Sequence, residues 1–415
     1  MNRRLIAIAI AAVIGQSGLA LAGGYDTPML YSARHMGMGG AANAYVNDPS
    51  ALFHNPAGLA GIKKLSLLGD FSLLLGGITA SPELSAQSKD SKLVKAPFFL
   101  IGAGYRLTDW LVLGAAVYPV ASASAEYEYN NNNKLVKNST KLVFIETTVG
   151  AAVNLEAIRL KIGAGYRLTF VNLVREQVTE GAPAFLDFNM AGWNLASFRV
   201  GAQWEAIKDH LSLGVSYRHK TVTDITQDKF KALGFDAIDG QANFTLPARL
   251  IFGVRGDYGR FGAAVDLEYA LNSQNDVTVL SGKLNPNDPP TSLENIYDWD
   301  NAITLRLGGE YRIPWGKSRR IIPRLGFVYD ARTAKKAYPS AFGTPPAPTF
   351  VLTAGAGYES GPYRINLAYG YRFGSTTITP EDLQKATKNC QLCGQAGDYS
   401  IFLNGIYLDV SYDFE

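Results

Sequence analysis

The histidines and cysteines of this chain are the residues best suited to catalysis or metal binding. The sequence has four histidines and two cysteines, and no histidine has the spacing of a metal-binding motif or of a serine, histidine and aspartate triad. The histidines are His35, His54, His210 and His219. We therefore expect no enzyme activity, no metal and no cofactor. The pair Cys390 and Cys393 predicts a small disulfide loop in an oxidising compartment, with a metal or redox role as the alternative.

Arginines and carboxylates alternate with apolar residues, and this places charge on one face of each predicted strand. Residues 261–269 carry Phe, Ala, Val, Leu and Tyr on one face and Gly, Ala, Asp and Glu on the other. The charged residues that face inward in this register are Arg106, Arg167, Arg199, Arg249, Arg306, Arg312, Arg364 and Arg372, with Glu205, Asp266, Glu268, Glu310, Glu359, Asp409 and Asp413. Buried charges are tolerable only when they pair or stay hydrated, so a lattice of ion pairs is expected. The alternative is that one or two of the arginines hold a carboxylate head group.

The alternation extends over most of the chain and predicts long strands. Many stretches reach about ten residues, the length that a tilted strand needs to cross a bilayer, whereas strands in soluble sandwiches usually have about five or six. The predicted strands are 62–76, 93–106, 110–126, 140–155, 158–174, 192–206, 210–222, 243–257, 260–273, 301–313, 320–332, 349–359, 362–376 and 402–414. Short turns alternate with long connections, as in outer-membrane barrels. The predicted fold is all-β, a 14-stranded antiparallel transmembrane β-barrel over residues 62–415.

The first 22 residues read as an export signal. A positive start with Arg3 and Arg4 precedes an apolar core from Leu5 to Ile14 and the small-residue site Ala20-Leu21-Ala22. The apolar run is too short to cross a bilayer as a helix. We expect residues 1–22 to be removed and the mature chain to start at Gly23.

Composition agrees with an exported barrel. The 42 glycines, 22 tyrosines and 20 phenylalanines suit tight inner walls and aromatic girdles, although a soluble β-protein could share them. The balance of 39 basic against 36 acidic residues argues against a nucleic-acid partner.

Glycine and proline motifs lie between the export signal and the first strand. The motif residues are Gly37, Gly39, Gly40, Asp48, Pro49, Asn55, Pro56 and Ala57. In both Asp48-Pro49 and Asn55-Pro56, a good N-cap precedes a good first helical residue, so two short helical turns are expected. The glycines allow bends between them. We predict that residues 23–61 form a hatch of short helices that plugs the barrel, with a tail on the periplasmic side as the alternative.

The stretch from Gly37 to Leu59, between an export signal and fourteen strands, resembles the FadL family of outer-membrane transporters. The resemblance implies a barrel closed by an N-terminal hatch that passes hydrophobic molecules such as long-chain fatty acids or aromatic hydrocarbons. The chain departs from the family in ending with Glu415, so that its terminal aromatic residue, Phe414, is penultimate.

Two predicted outer loops carry apolar residues. The first contains Phe185, Leu186, Phe188 and Met190, and the second contains Phe230, Leu233, Phe235 and Ile238, spaced as one face of a short helix. Exposing such side chains to water costs free energy, so they either pack on each other or form a hydrophobic groove. The resemblance favours the groove, because members of the family capture ligand between these loops.

The third predicted strand contains Tyr118-Pro119, followed by small residues. Proline cannot donate a hydrogen bond to the ladder, so an interrupted wall is expected there. The resemblance gives this a purpose, since family members are thought to open sideways at a kink in this strand. The alternative is that Pro119 lies at the outer interface, where the membrane span is already ending.

Together these patterns predict passive uptake of hydrophobic small molecules across the cell outer membrane. We expect a monomer that contacts outer-membrane lipid and a hydrophobic ligand and binds no nucleic acid. The rival hypothesis is a barrel of the PorV type that serves as a scaffold or carrier in protein secretion, because residues 55–60, Asn-Pro-Ala-Gly-Leu-Ala, also fit that style.

Overall fold

The computed structural model describes residue 25 and residues 31–82, 88–131, 133–232, 234–390 and 393–414. The predicted export signal at 1–22 lies outside these residues. The described chain is mostly β-strand, preceded by a short helical segment.

The strands follow one another in chain order along most of the sequence. The first ten are β1 (Leu65–Ala80), β2 (Lys89–Asp90), β3 (Val94–Arg106), β4 (Leu111–Asn131), β5 (Lys134–Leu155), β6 (Leu160–Thr179), β7 (Leu186–Ile207), β8 (Leu211–Arg218), β9 (Thr221–Ala232) and β10 (Phe235–Leu246). The remainder are β11 (Arg249–Tyr258), β12 (Phe261–Ala270), β13 (Val277–Lys283), β14 (Thr291–Ile296), β15 (Ala302–Tyr311), β16 (Ile313–Trp315), β17 (Arg319–Asp330), β18 (Thr349–Ser360), β19 (Tyr363–Ile378) and β20 (Gly397–Phe414).

These segments form a closed antiparallel barrel of fourteen wall strands. Short interruptions divide some wall strands, so that β2 and β3 belong to one, as do β8 and β9, β10 and β11, β12 and β13, and β14 to β16. The barrel closes because β1 pairs with β3 on one side and with β20 on the other, from Leu65 opposite Phe414 to Thr79 opposite Ser400. The predicted fold class is confirmed.

The two faces of the wall have opposite character, as β12 illustrates. Its residues alternate strictly between exposed and buried. Val265 and Leu267 are exposed on the outer face, whereas Asp266 and Glu268 are buried inside. Because successive side chains of a strand point to opposite faces, one segment supplies both an apolar outer surface and a polar lumen.

One rim has short turns throughout, and on the other rim most connections are longer, apart from the two-residue connections between β4 and β5 and between β9 and β10. Gly259 and Gly361 adopt positive φ angles of 58° and 57° in two of the short turns, a conformation that favours glycine. On the opposite rim, residues 331–348 connect β17 to β18 and fold inward, since Tyr338 and Phe342 are buried.

The outer ends of the strands correct several predicted boundaries. β4 and β5 extend to Asn131 and Lys134, where the sequence predicted a long loop. The first apolar loop is mostly the start of β7, and the second is not a helix, because Phe230 pairs with Ala237 in a hairpin of β9 and β10. The helical spacing of apolar residues there is coincidental, because cross-strand pairing supplies the backbone hydrogen bonds.

The helical elements are short. They are α1 (Ala33–Met36), α2 (Ala51–His54), the 3-10 helices η1 (Pro56–Gly61), η2 (Glu156–Ile158) and η3 (Asn272–Gln274), and α3 (Pro380–Leu383). No helix among the described residues combines the length and apolar character needed to cross a membrane.

The outer face of β12 generates a stability prediction. Leu267→Arg places a charge on the surface that we expect to contact lipid, which should lower the free energy of unfolding by about 2–4 kcal/mol if the site lies near the midplane. Denaturant titration of protein folded into lipid vesicles measures this. Gln384→Arg, on the exposed end of α3, is the control and should change little. Equal stability of the two variants would show that the face does not meet lipid.

Candidate functional site

The described part of the hatch, residues 31–61, lies inside the barrel. Met38, Leu52 and Leu59 are fully buried, and the segment contacts wall strands around the barrel, including β4 to β7 and β18 to β20. The lumen is therefore filled by the chain's own N-terminal region.

Two wall carboxylates hold the first turn of the hatch. Asp409 accepts hydrogen bonds from the Ser32 hydroxyl at 2.6 Å and from the Arg34 backbone N–H at 2.9 Å. Asp70, directly opposite Asp409 in the sheet, accepts from the Ala33 N–H at 3.1 Å. These bonds satisfy N–H groups that a short helix leaves without partners at its start.

A third carboxylate holds the middle of the hatch. Asp266 Oδ2 on β12 accepts from the backbone N–H groups of Ala42 and Asn43, at 2.9 and 3.0 Å. Three buried acids of the wall thus accept hydrogen bonds from the backbone of the hatch. Docking of the hatch therefore depends on the backbone N–H groups at these positions.

The Asn55 side chain joins the hatch to itself and to the wall. Its amide nitrogen lies 2.8 Å from the Asn43 carbonyl oxygen, 3.0 Å from that of Ala202 and 3.3 Å from that of Val215. Its carbonyl oxygen accepts from the Ala57 N–H at 3.2 Å, so Asn55 is also the N-cap of η1. Only a side-chain amide offers two donors and a carbonyl acceptor together, and asparagine is the shorter of the two amide residues, which accounts for its use at this position.

The other predicted helix start is displaced. The Asp48 side chain accepts from the backbone N–H and the hydroxyl of Ser50, at 2.9 and 2.5 Å. The Asp48 carbonyl accepts from the Ala51 N–H at 2.9 Å, which makes a tight turn before α2 begins at Ala51. Pro49 belongs to this turn and is not the first helical residue.

The hatch glycines allow close approach to the wall. Gly39 and Gly40 adopt positive φ angles of 65° and 77°. A Cβ atom on Gly39 would lie 2.7 Å from the Leu307 carbonyl oxygen, and one on Gly37 would lie 3.2 Å from the Gly355 Cα. Larger residues would push the hatch away from β15 and β18.

Two tyrosines connect the hatch to the irregular part of β4. The Tyr31 hydroxyl donates to the Pro119 carbonyl. The Tyr118 hydroxyl lies 2.6 Å from Glu146 Oε1 and 3.1 Å from the Leu52 carbonyl oxygen of the hatch. The predicted pair Tyr118 and Pro119 is therefore a contact between wall and hatch.

The wall has a gap beside Pro119. β3 and β4 pair from Arg106 opposite Val112 up to Ile101 opposite Val117, and residues 94–100 have no pairing with β4. On the other side of β4, the register against β5 shifts between Pro119 and Ala121. Beyond the gap, the Lys92 N–H donates to the Glu126 carbonyl at 2.7 Å. The two sides of the gap are thus hydrogen-bonded to each other before it and after it, but not within it.

A cavity of about 130 Å³ lies behind this gap. Its apolar and aromatic lining is Tyr31, Met36, Leu74, Ile78, Val94, Ala96, Phe98, Ala123, Val351, Ile401, Leu403 and Tyr407. Polar groups come from Ser72, Ser122, Ser124, Thr344 and Arg372. An apolar chamber with few polar groups is typical of a site for a hydrophobic ligand.

The two predicted ligand-binding loops pack on each other. Leu186, Phe188, Met190 and Phe230 are buried, Phe185 and Ile238 are partly buried, Phe235 is exposed, and Leu233 lies outside the described residues. The rings of Phe188 and Phe230 are 6.3 Å apart. Among the two alternatives, these contacts favour mutual packing, and ligand contact by these residues stays a prediction.

Most of the predicted inward charges form ion pairs. These join Arg167 to Glu146, Arg249 and Arg306 to Glu268, Arg312 to Glu310, Arg364 to Asp413, and Arg372 to Asp330. Arg106 instead donates to the carbonyl of Ala60 in the hatch and to that of Ile62 just after it, both at 2.8 Å. The remaining two acids lie near the short turns, where Glu205 accepts from the Asp209 N–H and Glu359 lies 3.8 Å from Arg320.

Sequence reasoning missed two carboxylates of the site. Asp70 and Glu146 are buried in the lumen, at 3% and 0% exposure. Each is the only acid of its strand, and that isolation is the signal that could have identified them.

Neither cysteine lines the cavity behind the gap. Cys390 and Cys393 are joined by a disulfide in the connection after α3. Cys393 lies against Ile296 and Tyr338, so the loop covers the ends of neighbouring strands. The described residues contain no cluster of His, Cys, Asp or Glu suited to a metal ion.

Burial keeps the hatch histidines neutral. Desolvation lowers the pKa of His54 to about 4, although its ring nitrogen Nε2 lies 3.0 Å from the Tyr31 carbonyl oxygen. Desolvation, followed by the nearby His54, also lowers the pKa of His35 well below its usual value. Burial of each imidazole ring in the hatch thus favours its neutral form over its protonated form.

An antiparallel barrel closed by its own N-terminal segment defines the class of plugged outer-membrane barrels. Residues 13–414 match the family described as outer membrane protein transport protein (OMPP1/FadL/TodX), and the chain belongs to that family. The resemblance is confirmed, and with it the outer-membrane location. The family consists of membrane channels and transporters, not enzymes.

Solved structures of low identity share the fold. A Pseudomonas aeruginosa FadL homologue is 16% identical, with a TM-score of 0.73 over 95% of this chain and 100% of that one. The Pseudomonas putida toluene transporter TodX is 17% identical, with a TM-score of 0.69 over 95% and 100%. The Ralstonia pickettii toluene transporter TbuX is 14% identical, with a TM-score of 0.64 over 93% and 99%. No curated protein sequence matches this chain.

The contact between Pro56 and the wall generates a docking prediction. A Cβ on Gly163 would lie 2.4 Å from the Pro56 carbonyl group, so Gly163→Ala should displace the hatch and cost about 1–3 kcal/mol. We expect larger single-channel conductance in planar bilayers. Gly309→Ala is the control, because a Cβ there meets no heavy atom within 4 Å. Equal conductance of the two variants would contradict close packing of hatch and wall.

The His54 environment generates a pH prediction. A histidine whose folded pKa is depressed to about 4 contributes stability above its unfolded pKa of about 6.5 and loses it as pH falls towards 4. Proteolysis of the hatch should therefore increase over that window. His54→Asn should flatten the dependence, leaving the part due to His35. His210→Gln, at an exposed short turn, should not. An unchanged profile in the His54→Asn protein would refute this assignment.

Proposed function

We propose that this protein takes up small hydrophobic molecules across the outer membrane by passive diffusion, through the cavity and then sideways through the gap between β3 and β4. The observation that carries the proposal is the apolar cavity directly behind an unpaired stretch of wall. A hydrophobic solute gains no free energy by entering the aqueous periplasm, so release towards the bilayer is physically favoured.

The size of the cavity favours a molecule with a single aromatic ring. Its volume of about 130 Å³ is close to that of an engineered protein cavity of about 150 Å³ that binds benzene. The extended tail of a long-chain fatty acid would have to reach beyond this volume. Two of the similar structures are titled as toluene transporters, which supports the same choice.

The charge in the cavity also favours a neutral ligand. Arg372 is the cation of the lining, and its guanidinium lies 3.1 Å from Asp330 and donates to Thr349 at 2.8 Å. A fatty-acid carboxylate would have to compete with Asp330 for this group, and the lost pair would be costly at a buried position. An aromatic hydrocarbon requires no such exchange.

The gap itself supports sideways release. Backbone groups on the facing edges of residues 94–100 and 118–125 lack cross-strand partners from each other, and lipid offers them none. The hydroxyls of Ser122 and Ser124 line the cavity at this edge. These polar groups make the cavity partly hydrated at this edge. The opening therefore suits the brief passage of a solute.

Access from outside passes the connection 331–348. Phe342 stacks edge-on against Tyr127 at 5.5 Å, and the Tyr127 hydroxyl donates to the Ala341 carbonyl at 2.5 Å. The next residues, Gly343 and Thr344, line the cavity. Movement of this connection would open the cavity to the outer loops, where Phe185 and Phe235 are candidates for first contact.

Uptake by cells that lack the gene tests the proposal. Radiolabelled toluene should enter faster at low concentration when the gene is restored, whereas oleate should show a smaller difference. Protein secretion is measured in the same strains. A secretion defect without an uptake defect would replace this proposal with the scaffold function.

Blocking the gap should abolish uptake. Ala123→Trp fills the cavity beside the unpaired edge, so toluene uptake should fall to the level of the deletion strain. Ala263→Trp, on the outer face of β12, is the matched control and should keep normal uptake. The shift in gel migration between unheated and heated samples checks that both variants fold. Full uptake by a folded Ala123→Trp protein would exclude passage through this cavity.

A further inference from the structure

A second cavity of about 50 Å³ lies between hatch and wall, apart from the proposed hydrophobic path. The hatch contributes Phe53 and His54. The wall contributes Arg199, Arg218, Arg249 and Arg306. The lining also includes the acids Asp266 and Glu268, and the chamber is much smaller than the cavity behind the gap.

Arg199 is the unusual member of this lining. It is 4% exposed, and its guanidinium carbon lies 5.4 Å from the centre of the Phe53 ring. Its nearest carboxylate oxygen, on Glu146, is 3.7 Å away, and Arg199 donates no hydrogen bond to any residue that the structure describes. Its Nε atom is buried without a partner.

Glu146 cannot satisfy Arg199 because its oxygens are already used. Arg167 donates to Glu146 Oε2 twice, at 2.5 and 2.7 Å. The Tyr118 hydroxyl occupies Oε1 at 2.6 Å, with the Thr148 hydroxyl at 3.2 Å. The Arg199 guanidinium thus faces the chamber with its donors largely unspent.

The remaining acids around the chamber are committed in the same way. Glu268 pairs with Arg249 and, at 2.7 Å, with Arg306, whose Nε stays buried without a partner. Asp266 Oδ2 holds the hatch backbone, and its Oδ1 has no partner and needs a donor such as water. Arg199 and Arg306 thus have buried donors that lack a hydrogen-bond acceptor.

A buried guanidinium requires both hydrogen-bond acceptors and a compensating charge. Water supplies only the first. The volume of about 50 Å³ admits a small ion, since about 10–15 Å³ of such space is enough to hold one water molecule. We propose that this cavity binds one small inorganic anion of the halide class, held by Arg199 and Arg306 against Phe53 and His54 of the hatch.

The anion fastens the hatch to the wall, because its binding surface includes residues from both. Occupancy therefore stabilises the docked hatch by mass action and makes its stability depend on halide concentration. This role is independent of what the larger cavity transports.

Anomalous diffraction locates the ion directly. Crystals grown in sodium gluconate, whose anion is too large for the chamber, are soaked in sodium bromide. The expected result is a bromine peak within hydrogen-bond distance of the Arg199 guanidinium. Absence of a peak there at full exchange would overturn the proposal, and so would an equal peak in crystals of Arg199→Gln.

Stability in detergent supplies the second measurement. Proteolysis of the hatch should slow as chloride or bromide replaces gluconate, and the halide concentration for half of the effect should rise at least about tenfold in Arg199→Gln, given the loss of a charge-assisted hydrogen bond. Arg320→Gln, whose side chain is 57% exposed, is the control. Decanoate in place of halide should have no effect. Halide-independent wild-type stability overturns the proposal whether or not the Arg199→Gln protein folds.

Discussion

A wall that faces lipid must pair its backbone N–H and C=O groups within the protein, because the bilayer offers no hydrogen bonds. The barrel meets this requirement by closing β1 onto β20. Between β3 and β4 it does not, since the ladder stops at Ile101 and Val117. Behind this stretch lie the cavity and the hatch, and the Tyr31 hydroxyl reaches the Pro119 carbonyl there. The gap in the wall and the hatch in the lumen are therefore parts of the same arrangement, because the hatch lies behind the stretch of wall that is not paired.

The hatch depends equally on the wall. Its helices have four to six residues, too few to satisfy their own terminal N–H groups. Asp70, Asp409 and Asp266 supply acceptors from β1, β20 and β12. Because these acids come from strands distant in sequence, the full set of acceptors for the hatch exists only in the closed barrel.

The sequence predicted what local pattern determines. Alternation in segments such as 261–269 located the strands and their faces, and the short turns gave the strand count. It did not predict the hairpin of β9 and β10, where spacing suggested a helix, because pairing with a neighbouring strand overrides a weak periodic signal. Asp266 and Asp409 were predicted to face inward, but their contacts with the hatch and the length of the gap were out of reach, since both arise from the register of strands brought together only by closure of the barrel.

The central claim is that a hydrophobic solute occupies the chamber behind the β3 and β4 gap. Photolabelling tests it most directly, using an alkylbenzene that carries a diazirine, outer-membrane vesicles and mass spectrometry of the labelled peptides. We expect labels on residues 94–98 and 122–124 that excess toluene displaces. Labels spread evenly over lipid-facing positions such as Val265, with no toluene-sensitive label at the gap, would contradict it.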